Sequence, residues 1–118
     1  MNHLEDFKLS ATSTLLEAVE KIERNKARAV IIEKNDKVIG IVSEGDVMRA
    51  LLNGSEIHAP VEDFVNHSFI YLNSVDRHKA FELARNVMAS MIPVVDDDFH
   101  LTDIITLKQL LQDVTLPA

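Results

Sequence analysis

Apolar residues recur along this chain with two periods, one suited to strands and one to helices, and the order of those periods repeats. Phe7-Lys8-Leu9 alternates as a short strand and is followed by the polar Ser10-Ala11-Thr12-Ser13. Thr14 with Glu17 then offers a capping box, and Leu15, Ala18, Val19 and Ile22 fall on one helical face as far as Asn25. Val30-Ile31-Ile32 predicts a buried strand. Lys34-Asn35-Asp36-Lys37 makes a polar reversal, and Val38 to Val42, β-branched except at Gly40, predicts its hairpin partner. Ser43 opens a second helix carrying Val47, Ala50 and Leu51, with Asn53-Gly54 as its stop.

After a linker from Ser55 to Pro60 and a short apolar segment at Val61 to Val65, the same order returns. Phe69-Ile70-Tyr71-Leu72 predicts an opening strand, and Ala80, Leu83, Ala84, Val87 and Met88 mark a helix. Pro93-Val94-Val95 predicts the middle strand, Asp96-Asp97-Asp98 the reversal and Leu101 to Ile105 the last strand. Thr106 opens a final helix with Leu107, Leu110 and Leu111 on its apolar side. Placing Val30 on Pro93, an offset of 63 residues (93 minus 30), also sets Ser43 on Thr106 and Asp46 on Gln109, with no gap through the hairpin. Each half is near the size at which a lone core is marginal, so two repeats sharing one core are expected.

The turn from Ser43 to Asp46 is where chemistry is expected. Ser43 is the predicted N-cap, and Asp46 falls in the first helical turn, where backbone N–H groups lack partners and the dipole end is positive. A phosphate there would meet donors, and a neighbouring carboxylate can accept both hydroxyls of a ribose. The same residues also satisfy a capping box that serves the helix alone. Arg49, one turn on, is placed to reach a phosphate; Lys108 in the other repeat reads as a solvated charge.

Composition narrows the classes. A chain of 118 residues with 47% apolar and 26% charged content is an ordinary globular domain with no run long enough to span a membrane. The N-terminus lacks the basic and apolar regions of a secretory signal, so a cytoplasmic location is expected. There is no cysteine, hence no disulfide and no thiolate nucleophile. The formal net charge of −7, with no cluster of Lys and Arg, argues against nucleic-acid binding. His3, His58, His67, His78 and His100 lack the spacing of metal ligands, and Asp96-Asp97-Asp98 lacks that of a calcium loop. No combination of nucleophile, base and oxyanion site is recognisable, so an enzyme is not expected.

Leu16-Glu17-Ala18-Val19, Pro93-Val94-Val95-Asp96 and, above all, Val38-Ile39-Gly40-Ile41-Val42-Ser43-Glu44-Gly45-Asp46-Val47 resemble the motifs of tandem CBS domains, the paired modules called Bateman modules. The resemblance implies an α+β fold of two pseudo-symmetric β-α-β-β-α repeats, residues 1–57 and 58–118. It implies a regulatory module that binds AMP, ADP, ATP or S-adenosylmethionine between the repeats, and a homodimer formed through helices, with Leu51, Leu83, Val87 and Leu110 as candidate contacts. By position, one cleft would use Ser43, Asp46 and Arg49 with Asn73, Ser74, Ser90, Met91 and Ile92. The opposite cleft would use Thr106 and Gln109 with Ser10, Ala11, Ala27, Arg28 and Ala29. Gln109 keeps the cap but lacks the charge that strengthens a ribose contact, and Asp103 replaces the glycine at position 40, so this second cleft is expected to be weak or empty. The stretch from Gly45 to Gly54 is similar to pairs fused to sugar-phosphate nucleotidyltransferases or phosphosugar isomerases, implying a catalytic partner. The alternative is a ligand-free scaffold that dimerises and holds a neighbouring domain.

Overall fold

A computed structural model describes residues 4–87 and 89–114, with only the backbone of Val87, Asp113 and Val114. After a 3-10 turn at Leu4–Phe7, strand β1 (Lys8–Ser10) lies parallel to β2 (Ala29–Lys34), which pairs antiparallel with β3 (Lys37–Ser43). Helix α1 (Leu15–Asn25) joins β1 to β2, and α2 (Glu44–Leu52) follows β3 directly. The second half contributes α3 (Arg77–Val87), β4 (Met91–Val95), β5 (Leu101–Thr106) and α4 (Leu107–Val114), with β4 and β5 antiparallel. This is the α+β arrangement expected of two related repeats. Thr14 and Glu17 close the α1 capping box in both directions, and Lys26 ends the helix in the left-handed region at φ 57°, its N–H returning to the Ile22 carbonyl.

Two local expectations need correction. Phe69–Leu72 is not a strand: Leu72 alone bridges to Val94, in parallel. The rings of Phe69, Tyr71 and Phe99 meet in sequence, tilted and then edge-on, at centroid distances of 5.5 and 5.1 Å, while Phe69 and Ile70 also pack on the cores, so the apolar residues of this segment are covered by side chains instead of along a sheet edge. The repeat register also carries a gap. Ile31 faces Ile41 whereas Pro93 faces Ile104, so the middle strands are offset by 62 residues (93 minus 31) and the last strands by 63 (104 minus 41). The first hairpin turns on Asn35 and Asp36, both at positive φ as a two-residue turn requires. The second accommodates one more residue because Asp96 Oδ1 accepts the N–H groups of both Asp98 and His100, with Phe99 at φ 64°.

Side-chain alternation explains why β2 and β4 are buried on both faces. Val30 and Ile32 point to a core made with Leu15, Ala18 and Val47, while Ala29 and Ile31 join Met91, Val95 and Ile104 in a cluster drawn from both repeats. Ile92, Val94 and Ile105 complete a third core with Ala80, Ala84 and Leu110. The segment after α2 binds back on the first repeat: Leu16 N–H reaches the Ile57 carbonyl, Leu15 N–H the Ala59 carbonyl, and Val61 N–H the Ser13 carbonyl. It then crosses β3 at Gly40, where a Cβ would overlap the Asn66 carbonyl and a Val65 methyl. The close approach at position 40 is therefore between two pieces of backbone.

Candidate functional site

The start of α2 is built as a reciprocal cap. Ser43 is extended (φ −100°, ψ 168°); its Oγ accepts the Asp46 N–H at 3.2 Å, and Asp46 Oδ2 accepts the Ser43 N–H at 2.9 Å and the Ser43 hydroxyl at 3.0 Å. Asp46 Oδ1 takes an Arg49 N–H at 2.6 Å. The Glu44 N–H goes to the Arg28 carbonyl at 3.0 Å, and the Arg28 guanidinium donates to the Glu44 carboxylate at 3.0 Å. Of the first-turn donors, only the Gly45 N–H has no partner among the described residues. The helix start is thus less bare than its sequence suggests, and the Asp46 side chain, 20% exposed, is held between its own cap and Arg49.

Beside this turn the two repeats part. A cavity of about 390 Å³ is lined by Ala29, Ile41 and Ser43 from the first repeat, by Ala89, Ser90 and Met91 ahead of and within β4, and by Asn66, Ser68, Phe69 and Ile70 between them. A smaller one of about 220 Å³ adjoins it, walled by Arg28, Ser43, Glu44, Gly45 and Ser90. Across Arg28 lies a third, of about 620 Å³, whose walls include Ala27, Ser90, Thr106, Lys108 and Gln109. Thr106 and Gln109 cap α4 as Ser43 and Asp46 cap α2: the Thr106 N–H donates to Gln109 Oε1 at 2.8 Å and the Gln109 N–H to Thr106 Oγ1 at 3.2 Å.

The structure therefore brings Ser43 together with Ser90 and Met91, and Thr106 and Gln109 together with Ala27 and Arg28, as expected. Asp46 and Arg49 stand behind the turn and line neither seam cavity. Ala29 faces the Ser43 side, and Ile92 is buried in the second core. Asn73, Ser74, Ser10 and Ala11 fall elsewhere, for a topological reason. β1 runs parallel to β2 with Ser10 beside Glu33, so Ser10 sits at the far end of β2 from Ala29, roughly 13 Å away along the strand. Leu72 meets Val94 the same way, and the Asn73 amide donates to the Val95 carbonyl at 3.3 Å, at the far end of β4 from Ser90. Ala11 is core, and Ser10 lines a separate depression with Glu5, Lys8 and Glu33. Burial there works against the Lys8 charge, but the carboxylates of Glu33 and Glu5, each 3.4 Å away, outweigh it and hold the ammonium above its ordinary value.

Sequence reasoning missed the stretch from Asn66 to Ile70, which carries no motif and enters the site only because the linker crosses β3. The dimer candidates also need correction. Leu110 is 2% exposed and belongs to the second core, and Leu83 packs against the same core. Leu51 is exposed as expected, together with Met48, Leu52, Leu107 and Leu111. The side chain of Val87, with Met88 and His3, lies outside the described residues. Among those described, no group of His, Asp and Glu is arranged to hold a metal, and no helix is long and apolar enough to cross a membrane.

Residues 4–53 match the CBS domain family. An uncharacterized protein of Helicobacter pylori strain J99 is 29% identical over 97 residues, which make up 80% of this chain and 29% of that protein; the chain thus spans less than a third of this relative. A CBS domain protein from Pyrobaculum aerophilum complexed with AMP superposes with a TM-score of 0.74 at 19% identity, covering 98% of this chain and 100% of that one. A CBS domain pair/ACT domain protein from Thermotoga maritima gives 0.75 at 16% identity, over 92% and 87% of the two chains.

Proposed function

We propose, from the premise that residues 4–53 are a CBS domain in a chain folded as a CBS domain pair, that this protein is a regulatory module sensing an adenine nucleotide in the seam beside Ser43. The observation that carries this reading is the pair of adjoining cavities, about 390 and 220 Å³, walled on one side by the α2 cap and on the other by Ser90 and Met91. Together they have the size of a small-molecule site and touch both repeats, here taken as residues 1–57 and 58–118. The Pyrobaculum neighbour, complexed with AMP, supports the ligand class.

In this reading the adenine lies against the apolar wall of Ile41, Phe69, Ile70 and Met91, with the Ser90 and Ser68 hydroxyls in reach of its polar edge. The sugar and phosphate turn toward Ser43 and the Gly45 N–H. Arg49 then exchanges partners, leaving Asp46 Oδ1 to a ribose hydroxyl and moving its charge toward the phosphate. Because the ligand bridges both halves, binding favours one relative packing of the repeats, and an attached or associated catalytic domain reads that packing; the module binds and does not catalyse. A nucleotidyltransferase or isomerase of sugar phosphates in the cytoplasm is the partner class that the stretch from Gly45 to Gly54 resembles.

A second reading is favoured by the completeness of the Asp46 cap and by a groove of about 410 Å³ along α1 and α2, lined by Val19, Ile22, Val47, Met48 and Leu51. Here the pair is a ligand-free scaffold that dimerises through that groove. Thermal melts with AMP, ADP, ATP and S-adenosylmethionine separate the two, since a ligand that binds only the folded state raises its stability by RT ln(1 + [L]/Kd). The sensor shifts with at least one of them at millimolar concentration; a chain that shifts with none is the scaffold.

A further inference from the structure

We propose that Glu44 decides how many phosphates the seam site accepts, admitting a nucleoside monophosphate and turning away the diphosphate and triphosphate. The inference rests on the reading of that seam as an adenine-nucleotide site and adds its selectivity. The larger of the two adjoining cavities, beside Ile41 and Met91, has no charged side chain among the described residues of its wall. The smaller has two, Arg28 and Glu44, and they form one ion pair. Their charges cancel, so the end of the site that would take the phosphates offers them no net charge.

What the helix start does supply suits one phosphate. The Ser43 hydroxyl is committed to Asp46 and the Glu44 N–H to the Arg28 carbonyl, which leaves the Gly45 N–H as the first-turn donor in this wall. The Arg49 guanidinium lies against Gly45, where an added Cβ would come within 3.3 Å of it. One phosphate at Gly45 therefore has one N–H and one neighbouring cation. Further phosphates meet the Glu44 carboxylate, whose side chain is 51% exposed. Drawing Arg28 onto them strands Glu44 beside them, so the balance at the wall stays at zero while each phosphate adds negative charge.

The fold does not need a carboxylate at this position. Leu107 holds the matching place in the second repeat, and its N–H donates to the Ser90 carbonyl at 2.8 Å as the Glu44 N–H donates to the Arg28 carbonyl at 3.0 Å. The main chain makes the join in both repeats, whatever the side chain. An acid in the first turn also gains from the helix dipole, but that gain appears in a melt. A repulsive group aimed at the wrong ligand appears only in binding.

Calorimetric titration of the full chain with AMP, then displacement of bound AMP by ADP and ATP in magnesium-free buffer, compares all three at one site. The wild-type chain is expected to bind AMP about 10-fold more tightly than ATP, the size of one partly screened repulsion. Glu44→Gln is expected to bring the two close to parity, and Glu44→Lys to reverse their order. Glu20→Gln removes the same charge from an exposed position on α1 and is expected to leave the ratio at its wild-type value. The proposal is overturned if wild type binds ATP as tightly as AMP, if Glu44→Gln leaves the ratio unmoved, or if Glu20→Gln shifts it as much. A wild-type chain that binds no nucleotide defeats the seam reading and this one together, whereas AMP bound with an unmoved ratio defeats the role of Glu44 alone.

Discussion

The cap and the proposed ribose contact use the same carboxylate, and two substitutions at Asp46 pull them apart. Asp46→Asn keeps one carbonyl oxygen for the Ser43 N–H, now 2.9 Å from Oδ2, and gives up the Arg49 pair at 2.6 Å. Arg49 is 69% exposed, so that pair contributes at most about 1 kcal/mol after solvent screening. Asp46→Ala removes every acceptor and strands a part-buried N–H at the helix start, costing about 1 to 2 kcal/mol. For a chain of this size that lowers Tm by about 4 °C per kcal/mol, so the alanine variant melts about 4 to 8 °C early and the asparagine variant close to wild type. Binding follows a different order. A ribose hydroxyl donating to a carboxylate contributes about 1.5 to 3 kcal/mol and to a neutral oxygen about half that, so Asp46→Asn weakens AMP by about 4- to 13-fold while hardly moving the melt. Differential scanning calorimetry without ligand and isothermal titration with AMP give the two numbers on one sample. An Asp46→Asn protein that binds AMP with wild-type Kd refutes the ribose contact and leaves the carboxylate as a cap.

Three further outcomes are expected. Gly40→Ala drives a Cβ into the Asn66 carbonyl and a Val65 methyl, and the overpacking costs about 1 to 3 kcal/mol, seen as a lower urea midpoint at unchanged slope. The main-chain N–H of His100, with the His100 imidazole and the Asp98 N–H adding to it, holds the Asp96 carboxyl below its ordinary 3.8. A lowered folded-state value means stability that is present above pH 3.8 and lost as pH falls through the folded value, so Asp96→Asn flattens the fall in Tm between pH 5 and pH 3. If the groove on α1 and α2 is a dimer contact, Met48→Asp, at an exposed position on its rim, converts a sedimenting dimer to monomer without lowering the far-ultraviolet helix signal.

What the sequence disclosed was whatever short-range chemistry decides. All three capping boxes, at Thr14, Ser43 and Thr106, were legible from a hydroxyl and its partner three residues on, and the helices and both hairpins followed from apolar period and polar turns. Positions that depend on which strand ends meet were not legible in this way. Ser10 and Asn73 look equivalent to cleft residues until parallel pairing sends each to the far end of its neighbouring strand. The extra residue in the second hairpin is equally invisible, because Asp96 absorbs it with two hydrogen bonds that no alternation pattern records. Helical spacing grouped Leu107, Leu110 and Leu111 as one face, yet only Leu110 reaches the core, the other two being 38% and 48% exposed around the cation-lined cavity.

That last difference bears on function. Replacing an aspartate by Gln109 leaves the α4 cap whole, so the helix start tolerates the change, and its visible effect is to remove an acid from a cleft that Lys26, Arg28 and Lys108 make positive. On the Ser43 side the acids remain: Glu44 pairs with Arg28, which stands between the two clefts, and Asp46 pairs with Arg49 behind the turn. The two halves thus share a backbone plan and a capping device but differ in the charge they present at the seam.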